Sequence, residues 1–176
     1  TQLGNQGRSS IENRMAVQLL KDGAIGKIKE VIIWENKRLN WWPGNTEIQG
    51  RGEPIPVGLN WDLWLGCREP RPWFPNTYHP KCWRAWYDFG VGELGDMGCH
   101  HFDVTFDALN LRAPIKVRQL NSGSSGALWG KSHQVEFVFP GFEMAANDTI
   151  KVTWHDGDIR PDVSRIPLPD GVEKLP

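Results

Sequence analysis

Three strand-like runs follow one another late in the chain, and they limit the possible folds more than any other feature of the sequence. Residues 115–120 (IKVRQL), 133–140 (HQVEFVFP) and 149–156 (TIKVTWHD) are rich in β-branched and aromatic residues, which favour strands. Glycine, serine and asparagine lie between the runs and favour turns. Strands joined by short connections pair antiparallel, so these runs predict an open and mostly antiparallel β-sheet.

Two segments with helical periodicity precede these runs. Residues 11–22 predict a helix that Ser9 or Ser10 would cap and that Gly23 would end. Residues 96–109 predict a second helix. The apolar positions that the helices would bury are Ile11, Met15, Leu19 and Leu20 in the first, and Met97, Phe102, Phe106 and Leu109 in the second.

One further strand completes the pattern. Residues 28–34 are mostly β-branched, apolar or aromatic and follow a glycine turn, so they predict a strand directly after the first helix. A helix with its strand, then a helix, then consecutive strands is typical of an α+β domain. We therefore expect an α+β fold with an open, mostly antiparallel sheet and the helices on one face of it.

Residues 38–88 hold most of the ten tryptophans and show no sustained periodicity. Such dense aromatic residues exclude a disordered linker. Residues 61–67 predict one short helical turn, which Asn60 would cap. Large aromatic rings suit a core and a platform for sugar rings alike, and both interpretations stay open. The pairs that lie too close in sequence to share one core are Trp41 and Trp42, Trp61 and Trp64, and Trp83 and Trp86, the last pair being the best platform candidates.

The composition argues against several classes of partner. With 20 Lys+Arg against 21 Asp+Glu and no basic block, the chain has no positive field for nucleic acid or an anionic membrane surface. No apolar run approaches the roughly 20 residues of a membrane helix, and TQLGNQGRSS lacks the pattern of a signal peptide. Cys67, Cys82 and Cys99 are too irregularly spaced for a disulfide framework, so we expect reduced thiols.

The stretch FGVGELGDMGCHHFD, residues 89–103, contains the clearest candidate chemistry. Asp96 and His100 are four residues apart, so on a helix their side chains point the same way. A carboxylate beside an imidazole can orient it as a general acid/base near neutral pH. Asp103 lies near this side, whereas His101 points roughly 100° away and is expected to be packed or hydrogen-bonded. The glycines before the helix would let a ligand or a second backbone approach.

Other interpretations of this stretch remain open. The polar side could be an ordinary solvated helix face, capped by Asp96. A metal site would combine His100 with Asp96 or Asp103 and with His79, but no signature such as HExxH supports it, and no metal ligand is assigned. Residues 90–95, GVGELG, fit GxGxxG formally; no strand precedes them and no ribose-binding acid follows, so we do not predict a dinucleotide loop.

Five segments taken together resemble the Gfo/Idh/MocA oxidoreductase family. In chain order they are DGAIGKIKEV (22–31), NWDLWLG (60–66), YHPKCWRAWYDFG (78–90), GVGELGDMGCHHFD (90–103) and VTWHDG (152–157). The resemblance implies a C-terminal α+β domain that follows a Rossmann domain, with NAD or NADP bound mainly by that preceding domain. Residues 1–24 would then be the end of the nucleotide-binding domain with its connecting helix, and residues 25–176 the substrate-binding and oligomerisation domain with a Trp-rich insertion at about 38–88.

The resemblance also implies roles for individual residues. The family's DxxxH pair falls on Asp96 and His100, with His100 as the general acid/base and Asp96 positioning substrate and imidazole. The residues that would line the substrate pocket are Arg84, Trp83, Trp86, Tyr78, His79 and Asp103. Asn5 and Gln6 would border the nicotinamide.

The expected activity is oxidation of a hydroxyl group of a sugar, polyol or glycoside by a bacterial protein of the cytoplasm or periplasm. The chain resembles a domain truncated at its start, and alone it is expected to be inactive. The alternatives are an NAD-dependent, glycoside-cleaving member of the same family and a non-catalytic carbohydrate-binding or oligomerisation module. A sugar or polyol substrate and a homo-oligomer formed through the sheet are the expected partners.

Overall fold

The computed structural model describes residues 4–35, 42–43, 48, 50–121, 126–162, 164 and 166. Two 3-10 turns lie at Gln6–Ser9 and Cys82–Ala85. The helices are α1 (Ile11–Lys21), α2 (Trp61–Leu65) and α3 (Gly92–Ala108), and the strands are β1 (Glu30–Trp34), β2 (Lys116–Gln119), β3 (Gln134–Pro140) and β4 (Thr149–His155). All four predicted strands and the predicted helices are therefore present.

The four strands form one sheet in the order β1-β4-β3-β2. Strand β1 runs parallel to β4, while the β2–β3 and β3–β4 pairs are antiparallel. The predicted α+β fold with an open, mostly antiparallel sheet is confirmed. The cross-strand pairs that form the apolar core face are Val135 with Trp154, Phe137 with Val152, and Phe139 with Ile150.

Helix α3 covers this face, and it begins earlier than predicted. It starts at Gly92 rather than at Asp96, because Gly92 adopts the left-handed φ of 68° that lets the chain turn into the helix. Met97 is buried as predicted, and Phe102 stacks on Trp154 with ring centroids 6.0 Å apart. Phe106 is 38% exposed, contrary to the prediction, although its ring meets that of Phe139 on β3 edge-on at 5.6 Å.

Helix α1 has the predicted bounds but buries a different side. The Ser10 side chain caps it by accepting from the Asn13 amide at 3.2 Å, and Gly23 ends it with a φ of 77°. The residues expected to be buried, Ile11, Met15 and Leu19, are 59%, 57% and 54% exposed. Leu20, the fourth predicted position, does pack against the core, together with Val17. The prediction was wrong at the other three positions because helical spacing fixes only that apolar residues share a side, not which side meets the sheet.

The Trp-rich segment forms a second core with its own aromatic packing. Trp61 and Trp64 stack at a centroid distance of 4.8 Å, so this pair does share one core, contrary to our expectation. Helix α2 makes this possible because residues three apart lie on the same side of a helix. Asn60 caps this helix, as predicted, by accepting from the Leu63 amide at 3.0 Å. The buried members of this aromatic cluster are Trp61, Leu65, Tyr78, Ala85, Trp86 and Leu128. Trp41 lies outside the described residues.

The cysteines are free thiols, as predicted. Cys67 and Cys99 are exposed and Cys82 is buried, and burial raises the pKa of the Cys82 thiol. A thiol with a raised pKa is a poor nucleophile. In the part of the chain that the structure describes, no helix is long and apolar enough to cross a membrane.

Ion pairs join α1 and the turn before it to α3. Asp107 on α3 accepts from Lys21 Nζ at 2.8 Å and pairs with Arg8 at 2.7 Å. The Lys21 hydrogen bond, and after it the charge of Arg8, hold the pKa of Asp107 below its usual value. The ionised carboxylate therefore stabilises the contact between the two helices.

Replacing this carboxylate should make stability less dependent on pH. We expect Asp107→Asn to lower the free energy of unfolding at neutral pH by about 0.5–1 kcal/mol. Because the folded pKa of Asp107 lies below the ~3.9 of an ordinary aspartate, its contribution is complete above that value and disappears as the pH falls through the folded pKa. Urea unfolding at neutral and acidic pH measures the difference. Asp22→Asn, at a carboxylate that accepts from Gln18 within α1, is the control, and a pH-independent deficit in Asp107→Asn would contradict the assignment.

Candidate functional site

Asp96 and His100 lie one turn apart on α3, as the sequence predicts, but they are not bonded to each other. Instead Arg84 Nε donates to Asp96 Oδ2 at 2.8 Å. The two side chains are 25% and 26% exposed, so the pair lies at the protein surface but is partly shielded from water. Among the described residues, no hydrogen bond engages His100. The carboxylate is thus held by a guanidinium, and the imidazole remains available.

Arg84 is held in place by its neighbours in the turn Cys82–Ala85. Its guanidinium carbon lies 4.5 Å from the centre of the Trp83 ring, a cation–π contact, and Nη1 donates to the Lys81 carbonyl at 3.3 Å. These contacts bring Arg84, Trp83 and Asp96 together. They also cover one face of Trp83, which leaves less of that ring for a ligand.

Gly90 allows the turn to approach the start of α3. A Cβ at Gly90 would lie 2.5 Å from the Arg84 carbonyl oxygen and 2.6 Å from its Cα. No side chain fits at these distances, so only glycine permits this contact between two backbone segments. The prediction that a second backbone approaches here is confirmed, and this approach sets the position of Arg84 relative to Asp96.

The neighbouring glycines lie close to protein side chains. A Cβ at Gly92 would meet Trp129 at 3.0 Å, and one at Gly95 would meet Val91 at 2.5 Å. Protein side chains therefore lie directly against both glycines, and both glycines also line a cavity at the start of α3. No strand leads directly into α3 among the described residues, so GVGELG lacks the strand that precedes a dinucleotide loop.

Two residues expected in the substrate pocket lie in the aromatic cluster instead. Tyr78 is 2% exposed and Trp86 is 5% exposed. The Trp86 indole donates to the Thr77 carbonyl at 2.7 Å, which satisfies its polar atom inside the core. Burial raises the pKa of Tyr78, while Arg71 opposes that shift. Neither ring offers a face to a ligand in this conformation, because core packing uses both.

His79 and Asp103 occupy different surroundings. His79 is partly exposed and meets the Trp64 ring edge-on at 6.3 Å, at the margin of the aromatic cluster. Asp103 accepts from Arg8 Nη1 at 3.1 Å and so belongs to the ion pairs that join α3 to the N-terminal turn. Asp103 is therefore engaged away from the Asp96–Arg84 pair.

His101 is a structural histidine, as predicted. Its Nε2 lies 2.5 Å from Oε2 of Glu35, and its ring centroid lies 5.9 Å from that of Trp154. Glu35 is buried directly after β1 and was not identified from the sequence. An acidic residue at the end of an apolar strand was the only signal available.

Two further expectations concern bound groups. Asn5, with a left-handed φ of 62°, and the exposed Gln6 lie at the turn before α1, and their role beside a nicotinamide stays a prediction. Among the described residues, no group of three or more His, Cys, Asp or Glu side chains could hold a metal ion. The metal interpretation through His100, Asp96 or Asp103, and His79 therefore has no ligand set in that part of the chain.

A second His–Asp pair was not recognised from the sequence. Asp156 is fully buried, and its carboxylate accepts from His133 Nδ1 at 3.0 Å and from the Trp154 indole at 2.7 Å. The His133 backbone amide also donates to it. The segment VTWHDG contains Asp156, but its partner lies a strand earlier, and only the β3–β4 pairing brings the two together.

Comparison with known proteins identifies the family of this chain. The family described as "Oxidoreductase family, C-terminal alpha/beta domain", of the Gfo/Idh/MocA group, matches residues 10–122. The match includes α1, β1, the Trp-rich segment, α3 and β2. A comparison with curated proteins found no similar sequence. Because the match covers more than half of the 176 residues, the chain belongs to the Gfo/Idh/MocA oxidoreductase family and contains its C-terminal α/β domain.

Proposed function

We propose that this chain is the substrate-binding part of an NAD(P)-dependent oxidoreductase that acts on a hydroxyl group of a sugar, polyol or glycoside. The observation that carries the proposal is the grouping of Asp96, His100 and Arg84 at the start of α3. It combines an available imidazole with a carboxylate that a guanidinium holds in place, in a chain that belongs to an oxidoreductase family. The substrate class comes from the resemblance of the sequence.

His100 is the proposed general acid/base. Oxidation of an alcohol to a carbonyl removes a hydride from carbon and a proton from oxygen. An imidazole nitrogen of His100 would accept that proton, and would return it in the reverse reaction. Histidine suits this task because its side chain exchanges protons near neutral pH.

NAD(P), which members of this family generally use, accepts the hydride when it is bound. The described residues form no dinucleotide loop, so only proton transfer and substrate binding are assigned to them. Asn5 and Gln6 remain the proposed border of the nicotinamide.

Asp96 and Arg84 are the proposed positioning pair. The Arg84 guanidinium donates to Asp96 and so fixes the position of the carboxylate. Asp96, one helical turn from His100, would then stabilise the imidazolium that forms when the substrate loses its proton. Its partly exposed oxygens can also accept from a second hydroxyl of the substrate. Trp83 and His79, both partly exposed, are the proposed rim.

Replacing the proposed acid/base should remove most of the turnover. We expect His100→Asn in the full-length protein to lower kcat by about 100-fold or more, because general acid/base catalysis contributes about that much. The measurement is reduced-nicotinamide absorbance with a panel of sugars, polyols and glycosides. His101→Asn is the matched control: it should weaken the fold through loss of the Glu35 contact while leaving kcat near that of the wild type.

The outcomes separate the alternatives. Unchanged turnover in His100→Asn contradicts the acid/base role. Cleaved glycoside without net reduced nicotinamide supports the glycoside-cleaving alternative. Sugar binding without turnover in the wild type, unaffected by the substitution, supports a non-catalytic module.

Removing the guanidinium should weaken substrate use without removing the acid/base. We expect Arg84→Gln to lower kcat/KM by about ten- to hundredfold, since a hydrogen bond to a charged group contributes about 1.5–3 kcal/mol. Arg84→Lys should recover part of the loss because it restores the positive charge. Steady-state kinetics with the best substrate of the panel measures both variants. Equal kcat/KM for wild type and Arg84→Gln would show that Arg84 only supports the fold.

The resemblance also implies a homo-oligomer formed through the sheet. Light scattering coupled to size-exclusion chromatography of the full-length protein tests this part of the proposal. A monomer at micromolar concentration would contradict it.

A further inference from the structure

A cavity of about 540 Å³ lies between the start of α3 and the strands β2 and β3. This volume is within the range of small-molecule sites. The cavity is separate from the proposed catalytic group, since Asp96, His100 and Arg84 do not line it. Its lining consists of Tyr87, Val91, Gly92, Glu93, Leu94, Gly95, Val117, Gln119, Trp129, His133 and Val135.

The buried His–Asp pair sets the polar chemistry of this cavity. Asp156 can only accept, so the His133 nitrogen that faces it, Nδ1, carries the hydrogen. In a neutral imidazole the other nitrogen, Nε2, is then an acceptor. Within the described residues no hydrogen bond engages Nε2, although His133 is buried and lines the cavity. A ligand that donates a hydrogen bond would satisfy this nitrogen.

The charges of the lining select against anions. A buried carboxylate, Glu93, lines the cavity, and the carboxylate of Asp156 lies behind His133. No lysine or arginine is among the described lining residues. A carboxylate or phosphate ligand would therefore meet negative charge without compensation.

The apolar lining favours an aromatic ligand over a sugar. Four aliphatic side chains (Val91, Leu94, Val117 and Val135) line the cavity together with Tyr87 and Trp129, whose rings meet edge-to-face at 4.4 Å. The polar side chains of the lining are Tyr87, Glu93, Gln119 and His133. A sugar carries a hydroxyl on nearly every ring carbon, so several of its hydroxyls would face the apolar side chains instead. A ring with one hydroxyl needs only one partner, which His133 supplies.

We propose that this cavity is a second binding site, which takes a small uncharged phenol whose hydroxyl donates to His133 Nε2. Its ring packs between the aliphatic side chains of α3 and β2 and the aromatic pair of Tyr87 and Trp129. Asp156 acts as a positioning residue, because it fixes which nitrogen of His133 can accept. The site is independent of the proposed oxidoreductase activity.

The test compares p-cresol with toluene, p-toluate and glucose by ligand-observed NMR titration of the purified protein. We expect a Kd for p-cresol of about 1 mM or lower, and about three- to tenfold weaker binding of toluene because it lacks the hydroxyl. His133→Asn keeps a donor for Asp156 but removes the acceptor at the position of Nε2, because the shorter amide side chain does not reach it. The variant should therefore bind p-cresol only as weakly as toluene. His100→Asn should leave p-cresol binding unchanged, which separates this site from the catalytic one.

A second variant tests the proposal even if His133→Asn does not fold. Val117 is exposed on the edge strand β2 and lines the cavity. Val117→Trp should therefore fill the cavity while keeping the His133–Asp156 pair, and should abolish p-cresol binding without changing the thermal unfolding midpoint. The proposal would be overturned if the wild type bound p-cresol and toluene equally or preferred p-toluate. It would also be overturned if Val117→Trp removed binding of glucose, or if this variant still bound p-cresol.

Discussion

Trp154 is the residue on which both candidate sites depend. Its ring is fully buried on the central strand β4 and stacks on Phe102 of α3. Its indole N–H would be unsatisfied in such a core, and Asp156 accepts it at 2.7 Å. The same side chain therefore anchors α3, which carries Asp96 and His100, and supplies one of the donors that permit a buried carboxylate behind His133.

Helix α3 shows how one element serves several purposes at once. Successive side chains are rotated by about 100°, so the adjacent His100 and His101 have unrelated surroundings: one is available, and the other is bound to Glu35. One turn further along, Asp103 is tied to Arg8. The two adjacent histidines are thus separate features. Asp96 is hydrogen-bonded to Arg84, across the close backbone contact at Gly90.

Local signals predicted the elements well, whereas contacts between distant residues had no local signal. Ser10 and Asn60 could be identified as caps because each bonds an amide three residues later. The strands could be predicted from their composition. The position of Asp96 and His100 on the same side of a helix could be predicted from their spacing, and the family resemblance pointed to the same pair. The Arg84–Asp96 and His133–Asp156 contacts could not be derived, because chain folding rather than periodicity joins their partners. The predictions of which side of α1 is buried and of separate cores for Trp61 and Trp64 were wrong for the same reason. Burial depends on which residues pack against a side chain, and the local sequence does not specify them.

Asp96 and Asp156 differ in how their charge is compensated. This difference determines which kind of ligand each candidate site can accept. Asp96 is partly exposed and faces a guanidinium, so its charge is neutralised directly and its remaining oxygen can meet a polar substrate. Asp156 has no solvent contact and is held by an indole, a backbone amide and an imidazole. Such donors lower the cost of burying a carboxylate without cancelling its charge. An anion near His133 would therefore still meet that charge, whereas an uncharged donor would not. The same fold thus has two different candidate sites. One side of α3 carries a polar group in which Arg84 compensates the charge of Asp96. At the start of α3 lies a mostly apolar cavity with His133 in its lining.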